Sequence, residues 1–274
     1  MIVAAAGLAL GACGAGVGAP SAGPAPLESR GVPGFDTRSY PGPDAMRAWR
    51  EASPYRWVGF YLPAPCYTGT SWQGRREEVR SMGWGIALLF VGEQDWPDAG
   101  AVRDTLAARP VPEGPRCTRT NLTAERGRAD AAEAERAAAA EGFAAGTVVY
   151  LDVERVESVS DSLRAYVEAW VEALAGGRYR PGLYAHARNA DALHDAATDA
   201  LRRAAPPVTD GEGSEAMVPL WVARPGGFSL RRGPTESGFP GATIWQGLLD
   251  TDETWGGVTL RIDANVASSA DPST

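Results

Sequence analysis

Lysine is absent from this 274-residue chain; all 26 basic residues are arginine. That is a bias of composition and carries no mechanism. Acidic residues number 34, so the net charge is −8. A phosphate-backbone footprint needs a basic face, so no nucleic-acid partner is expected. Histidine occurs only as His186 and His194, and no zinc-ligand spacing involves them or the scattered acids. No metal and no other cofactor is therefore expected. No Gly-rich phosphate loop follows the first strand pattern, which weakens the case for a doubly wound nucleotide-binding sheet. No nucleophile-elbow motif supplies a serine for a Ser-His-Asp triad. No internal repeat is visible, and no apolar run is long enough for a stable transmembrane helix.

Cysteine is scarce as well, with three residues. Cys13 ends MIVAAAGLALGAC, a short apolar run before small residues, as in a secretory signal. With cysteine in that place the stretch resembles a bacterial lipobox. The resemblance implies a signal peptide over 1–13 and a lipid on Cys13, although the positively charged start of such signals is missing. The expected location is extracytoplasmic, either lipid-anchored to the bacterial envelope or secreted. The membrane would be reached only through that anchor. Residues 14–30, rich in Gly, Ala, Pro and Ser, read as a flexible linker. Outside the cytoplasm Cys66 and Cys117, both in Pro/Gly-containing loop sequence, are disulfide candidates. Two unrelated thiols are the alternative.

With 44% hydrophobic residues the remainder can bury a sizeable core. Strand and helix patterns alternate along it. Strands are expected at Val32–Asp36, Trp57–Leu62, Gly85–Val91, Thr147–Glu154, Pro181–Ala187, Pro219–Ala223, Ala242–Leu248 and Leu260–Ala264. Helices are expected at Pro43–Ala52, Trp72–Met82, Leu122–Phe143, Leu163–Leu174 and Ala190–Leu201. The fourth helix carries Leu163, Tyr166, Val167, Trp170, Val171 and Leu174 on one face. A long loop spans 93–120, and Gly226–Pro240 is loop-like. Eight strands with interposed helices predict an α/β fold, a single monomeric (β/α)8 TIM barrel over 31–268, with 269–274 as a disordered tail.

The chain is organised around the fourth strand, TVVYLDVE, which ends in two acids. Residues two apart on a strand share a face, so Asp152 and Glu154 leave together, roughly 6.6 Å apart at Cα. Carboxylates where a buried strand emerges are costly unless hydrogen-bonded or catalytic. Barrel active sites lie at the C-terminal strand ends. Those ends supply Asp36, Asp152, Glu154, Tyr184, His186, Trp221, Arg224, Trp245, Gln246, Asp263 and Asn265. The set is acidic and aromatic, which suits a sugar groove: one acid to protonate the glycosidic oxygen, a second to stabilise charge, and rings to stack on sugars.

GFDTRS (34–39), YLDVE (150–154), YRPGLYA (179–185), LWVARPG (220–226), IWQG (244–247) and RIDANVA (261–267) resemble, in order, the strand signatures of glycoside hydrolase family 25 muramidases. GFDTRSYPGPDAMRAW, SPYRWVGFYL and NLTAERGRADA are similar to the glycoside-hydrolase-like domain of unknown function 1906. The resemblance implies a general acid at Glu154 assisted by Asp152, with Asp36 and Asp263 lining the cleft. It implies sugar contacts by Tyr184, Trp221, Trp245 and Gln246, and His186 shares the strand face of Tyr184. The implied function is an exported glycoside hydrolase acting on cell-wall glycan, above all peptidoglycan. The alternative is a non-catalytic cell-wall-binding module on the same fold. Plainer roles stand beside these: Asp36 as a turn cap, Asp263 and Asn265 as loop closers, the two Trp residues as packing.

Overall fold

A computed structural model describes residues 31–96, 117–154, 156–204 and 217–274. Cys13 and the linker lie outside the described residues. Eight strands close into one barrel in sequence order: β1 (Val32–Asp36), β2 (Trp57–Tyr61), β3 (Gly85–Val91), β4 (Val148–Val153), β5 (Arg180–His186), β6 (Leu220–Ala223), β7 (Ala242–Trp255) and β8 (Val258–Ala267). Closure excludes the open-sheet rival. Among the described residues the helices are α1 (Pro43–Ala52), α2 (Arg76–Ser81), α3 (Ala124–Ala140), α4 (Asp161–Ala175) and α5 (Ala190–Ala204). The second helix is shorter than its pattern suggests. Gly74 takes a left-handed φ of 71°, and Trp72 before it is buried in the core instead of continuing the helix.

The strands alternate between two apolar environments. Inward, Trp57, Ala87, Leu89, Val148, Tyr150, Trp221, Ile244 and Ala267 fill the barrel. Trp221 is its centre, edge-on to Trp57, Tyr150 and Tyr184 with centroids 5.6–5.7 Å away. Outward, β3 and β4 residues such as Leu88, Phe90, Val149 and Leu151 meet the helix faces. The predicted α4 stripe, Leu163 to Leu174, is buried there. Its start is fixed by Ser160, whose hydroxyl accepts the Leu163 N–H.

β1 through β7 run parallel, but β8 is antiparallel to both β7 and β1. The reason is local. Only Gly256 and Gly257 separate β7 from β8, with φ of 57° and 80°. Two residues with positive φ make a tight hairpin, and a hairpin cannot return a parallel strand. Both strands are longer than their apolar cores suggest, because they extend above the barrel as a two-stranded ribbon.

Residues 269–274 are not a disordered tail. They close the bottom of the barrel. The ladder between β3 and β4 begins only at Leu88 and Val149, leaving lower backbone groups to be satisfied. The Ser273 carbonyl accepts the Val148 N–H at 2.7 Å, its N–H donates to the Ile86 carbonyl, and its hydroxyl accepts the Leu88 N–H. Asp271 accepts the Ile86 N–H and pairs with Arg80 at 2.6 Å. The chain passes so close that a Cβ on Gly85 would lie 1.7 Å from the Ala270 carbonyl oxygen.

Cys66 and Cys117 are joined in a disulfide that closes a separation of 51 residues, with Cα atoms 5.4 Å apart. A loop of that length constrains the unfolded chain by about 4 kcal/mol in the chain-entropy account. Replacing both cysteines by alanine should lower unfolding stability by about 2–4 kcal/mol in denaturant titrations. An unchanged midpoint would show that the bond does not constrain the unfolded chain.

Candidate active site

The C-terminal mouth of the barrel holds a cavity of about 400 Å³. Asp36, Asp152, Glu154 and Asp263 all line it. Asp36 and Asp263 are direct partners across the β1–β8 ladder. Asp263 lies at the mouth although it is mid-strand, because β8 descends into the barrel from above. Asp36 and Asp152 are buried, while Glu154 and Asp263 are half-buried and reach solvent.

One amide organises the floor. The Gln246 Nε2 donates to Asp36 Oδ2 at 3.2 Å and to Asp263 Oδ2 at 2.8 Å. Its Oε1 accepts the Tyr184 hydroxyl at 2.7 Å. Burial and then the nearby carboxylates Asp152, Glu154, Asp36 and Asp263 push the Tyr184 phenol well above its ordinary pKa, so it stays a donor. That fixes which end of the amide faces the acids. Asn265 works the same way. An indole N–H only donates, so Trp221 fixes Asn265 Oδ1 at 3.0 Å and leaves Nδ2 for Asp36 Oδ2, also at 3.0 Å. Tyr61 donates to Asp36 Oδ1 at 2.7 Å and, like Tyr184, is held protonated by burial and by Asp36.

A β-bulge completes the frame. The β7–β8 register shifts between Leu248 and Thr251, and Asp250 takes a left-handed φ of 50°. This aims the Asp250 N–H at Asp263 Oδ1, 2.5 Å away. Bulges beside active sites re-aim groups in this manner.

The end of β4 is held by Gln94. Its Nε2 donates to the Asp152 carbonyl at 2.8 Å, and its Oε1 accepts the Glu154 N–H at 2.9 Å. Gln94 stands on a loop anchored by buried charge. Arg126 pairs with Glu93 at 3.3 Å and with Asp130 at 2.5 Å. Tyr166 accepts the Glu93 N–H and donates to Asp130. Burial lifts the Asp130 carboxyl to about 6, against the opposing pull of the Tyr166 hydrogen bond and Arg126. Glu93, Cys66 and Cys117 bring possible ligand atoms within 4.8 Å of one another, but both thiols are consumed by the disulfide.

The remaining sequence candidates separate. Tyr184 and Gln246 lie inside the mouth, but their polar ends are committed to the floor network. Trp221 is fully buried beneath it and supports the floor instead of touching a sugar. Trp245 is corrected outright. It faces the outside of the barrel, packs edge-on to Phe228 at 5.2 Å and donates to the Arg224 carbonyl. Adjacent strand residues point to opposite faces, so an inward Gln246 forces Trp245 outward. His186 tops β5, half-buried, and its Nδ1 accepts the Arg188 N–H at 3.4 Å. It does not line the cavity. The aromatics that do are Tyr61, Tyr67 and Trp96. None of the three was singled out in the sequence, nor was Gln94, and only proximity to a strand end marked them.

The sequence profile of the Rv2525c-like glycoside hydrolase-like domain matches residues 47–267. The chain belongs to that family. Among solved structures, an uncharacterised B. stearothermophilus protein is 19% identical, with a TM-score of 0.53 over 86% of this chain and 96% of its own. The Tat-secreted protein Rv2525c of Mycobacterium tuberculosis, in complex with L-tartrate, is 15% identical, with a TM-score of 0.50 over 86% and 95%. The modular autolysin LytC of Streptococcus pneumoniae is 13% identical, with a TM-score of 0.50 over 86% of this chain and 46% of its own. At these identities the likeness is one of fold. No sequence among curated proteins matches the chain.

Two outcomes test the network. Gln246→Leu leaves Asp36, Asp263 and Tyr184 without their shared partner and should cost about 3 kcal/mol of stability. Gln246→Glu should cost more at pH 7 than at pH 4, because it adds a further carboxylate to a like-charged site. Equal stability of both variants with wild type would show that the amide does not hold the acids. Asp130 gives a second test. Its folded pKa of about 6 exceeds the unfolded 3.8, so its stabilising contribution is full below 3.8 and is lost as pH rises through 6. Asp130→Asn should flatten the stability–pH curve over that window relative to wild type.

Proposed function

We propose that this chain is an exported glycoside hydrolase acting on cell-wall glycan, with Glu154 as its general acid. The observation that carries the reading is the convergence of Asp36, Asp152, Glu154 and Asp263, from three different strand regions, on one open cavity. Glu154 stands at the rim of β4, exposed enough to meet a glycosidic oxygen and protonate it. Asp152, two residues below on the same face, stabilises positive charge on the sugar ring or orients an acetamido group. Asp36 and Asp263 are held rigid by Gln246 and shape the cleft. Trp96, half-buried at the cavity wall, offers a ring face for a sugar.

Peptidoglycan is the favoured glycan. The fold-similar S. pneumoniae protein is an autolysin, and Rv2525c is Tat-secreted. Export also suits the Cys66–Cys117 disulfide, which persists in oxidising compartments. Cys13, lipidated, would anchor the barrel to the membrane through the 14–30 linker. A binding module on this fold would need the aromatics more than a buried acid pair.

The test is wild type beside Glu154→Gln on peptidoglycan, with new reducing ends followed by mass spectrometry. Wild type should release fragments, and the variant should be slower by about a hundredfold or more. Equal release by both would make Glu154 the wrong residue. No release by either, with the glycan still pulled down, would favour the binding module.

A further inference from the structure

Among the described residues two cations share the acidic cavity, Arg38 and Arg261. Arg261 is engaged, with its Nε 3.4 Å from the Asp250 carboxylate. Arg38 is not: among the described residues no carboxylate forms an ion pair with it. Its guanidinium lies over the Tyr67 ring, 5.7 Å from the centroid. A guanidinium resting on an aromatic face keeps its N–H edge outward, ready for a planar anion.

The backbone beneath it is fixed. Tyr67 donates to the Arg38 carbonyl at 2.7 Å, Trp72 donates to the Thr37 carbonyl at 3.2 Å, and the Thr37 hydroxyl donates to the Arg261 carbonyl at 3.1 Å. Tyr67 in turn packs on Tyr61 at 5.1 Å, and Tyr61 bonds Asp36. The exposed guanidinium is therefore carried by a rigid segment directly beside the carboxylate floor. A neutral glycan can offer it only uncharged hydroxyl and acetamido oxygens, whereas a carboxylate matches its charge and its fork. An anionic sugar would be repelled by Asp36, Asp152, Glu154, Asp250 and Asp263 unless a cation offset them locally.

We propose that Arg38 selects a sugar bearing a carboxylate, which its guanidinium grips in a bidentate pair at the cavity mouth. The inference rests on the glycosidase reading of the same site and names its substrate class. The carboxylate can belong to a lactyl ether that carries no peptide or to a uronic acid, and the test separates the two.

Calorimetric titrations would use the full chain with Glu154→Gln, so that substrate persists. The probes are a neutral N-acetylglucosamine oligomer, an alternating N-acetylglucosamine–N-acetylmuramic acid oligomer, and a glucuronic acid–N-acetylglucosamine oligomer. At least one carboxylated probe should bind more tightly than the neutral one, and its identity names the carboxylate's source. Adding Arg38→Gln should cut that preference about tenfold or more, and Arg38→Lys should restore part of it. The preference should also shrink at high salt. If Arg38→Gln weakens all probes equally, or changes none, Arg38 does not read a carboxylate and the proposal falls. If no probe binds before Arg38 is altered, the glycan reading itself is overturned, and this inference with it.

Discussion

Two carboxylates facing each other across adjacent strands repel unless something stands between them. In this barrel it is the amide of Gln246, which bridges Asp36 and Asp263. Much of the mouth follows from that bridge. The amide is useful only in one orientation, and Tyr184 sets it. Asp36 needs further donors, and Tyr61 and Asn265 supply them. Asn265 is oriented in its turn by Trp221, the ring at the centre of the barrel interior. The polar network is thus the roof of the apolar interior and the floor of the cavity at once. Few of its groups can change without leaving a buried partner unsatisfied.

The topology serves the same constraint. A parallel eighth strand, entered from below, would need a crossover connection of a dozen residues or more. The two-glycine hairpin instead brings β8 down from above and places Asp263 opposite Asp36. The bulge at Asp250 then turns a backbone N–H onto Asp263. On the other side of the mouth, Gln94 ties the end of β4 to the loop after β3. That loop is secured by the Glu93–Arg126–Asp130 cluster outside the barrel, so buried charge remote from the cavity positions Asp152 and Glu154.

Much of this was legible in the chain itself. Apolar runs gave the strands, and strand ends gave Asp36, Asp152 and Glu154, because period two and barrel geometry leave them little freedom. Three things were not legible, each for a physical reason. Trp245 and Gln246 are adjacent, so they cannot both face inward, and which one does depends on the β7 register. The last six residues look like a polar tail, yet their value lies in hydrogen bonds to β3 and β4, nearly 200 and over 120 positions earlier. Tyr67, Trp96 and Gln94 belong to loops whose paths no periodicity encodes. Their roles appear only when the loops are seen over the mouth.

On the proposed reading, the cavity framed by these acids is where a glycosidic bond is held and broken. A crystal structure of the Glu154→Gln chain with a bound peptidoglycan fragment would test it most directly. That reading predicts a sugar ring against Trp96 and a glycosidic oxygen within about 3 Å of residue 154. A fragment seated elsewhere on the barrel, or one bound in the cavity with its glycosidic oxygens turned away from residue 154, would contradict it.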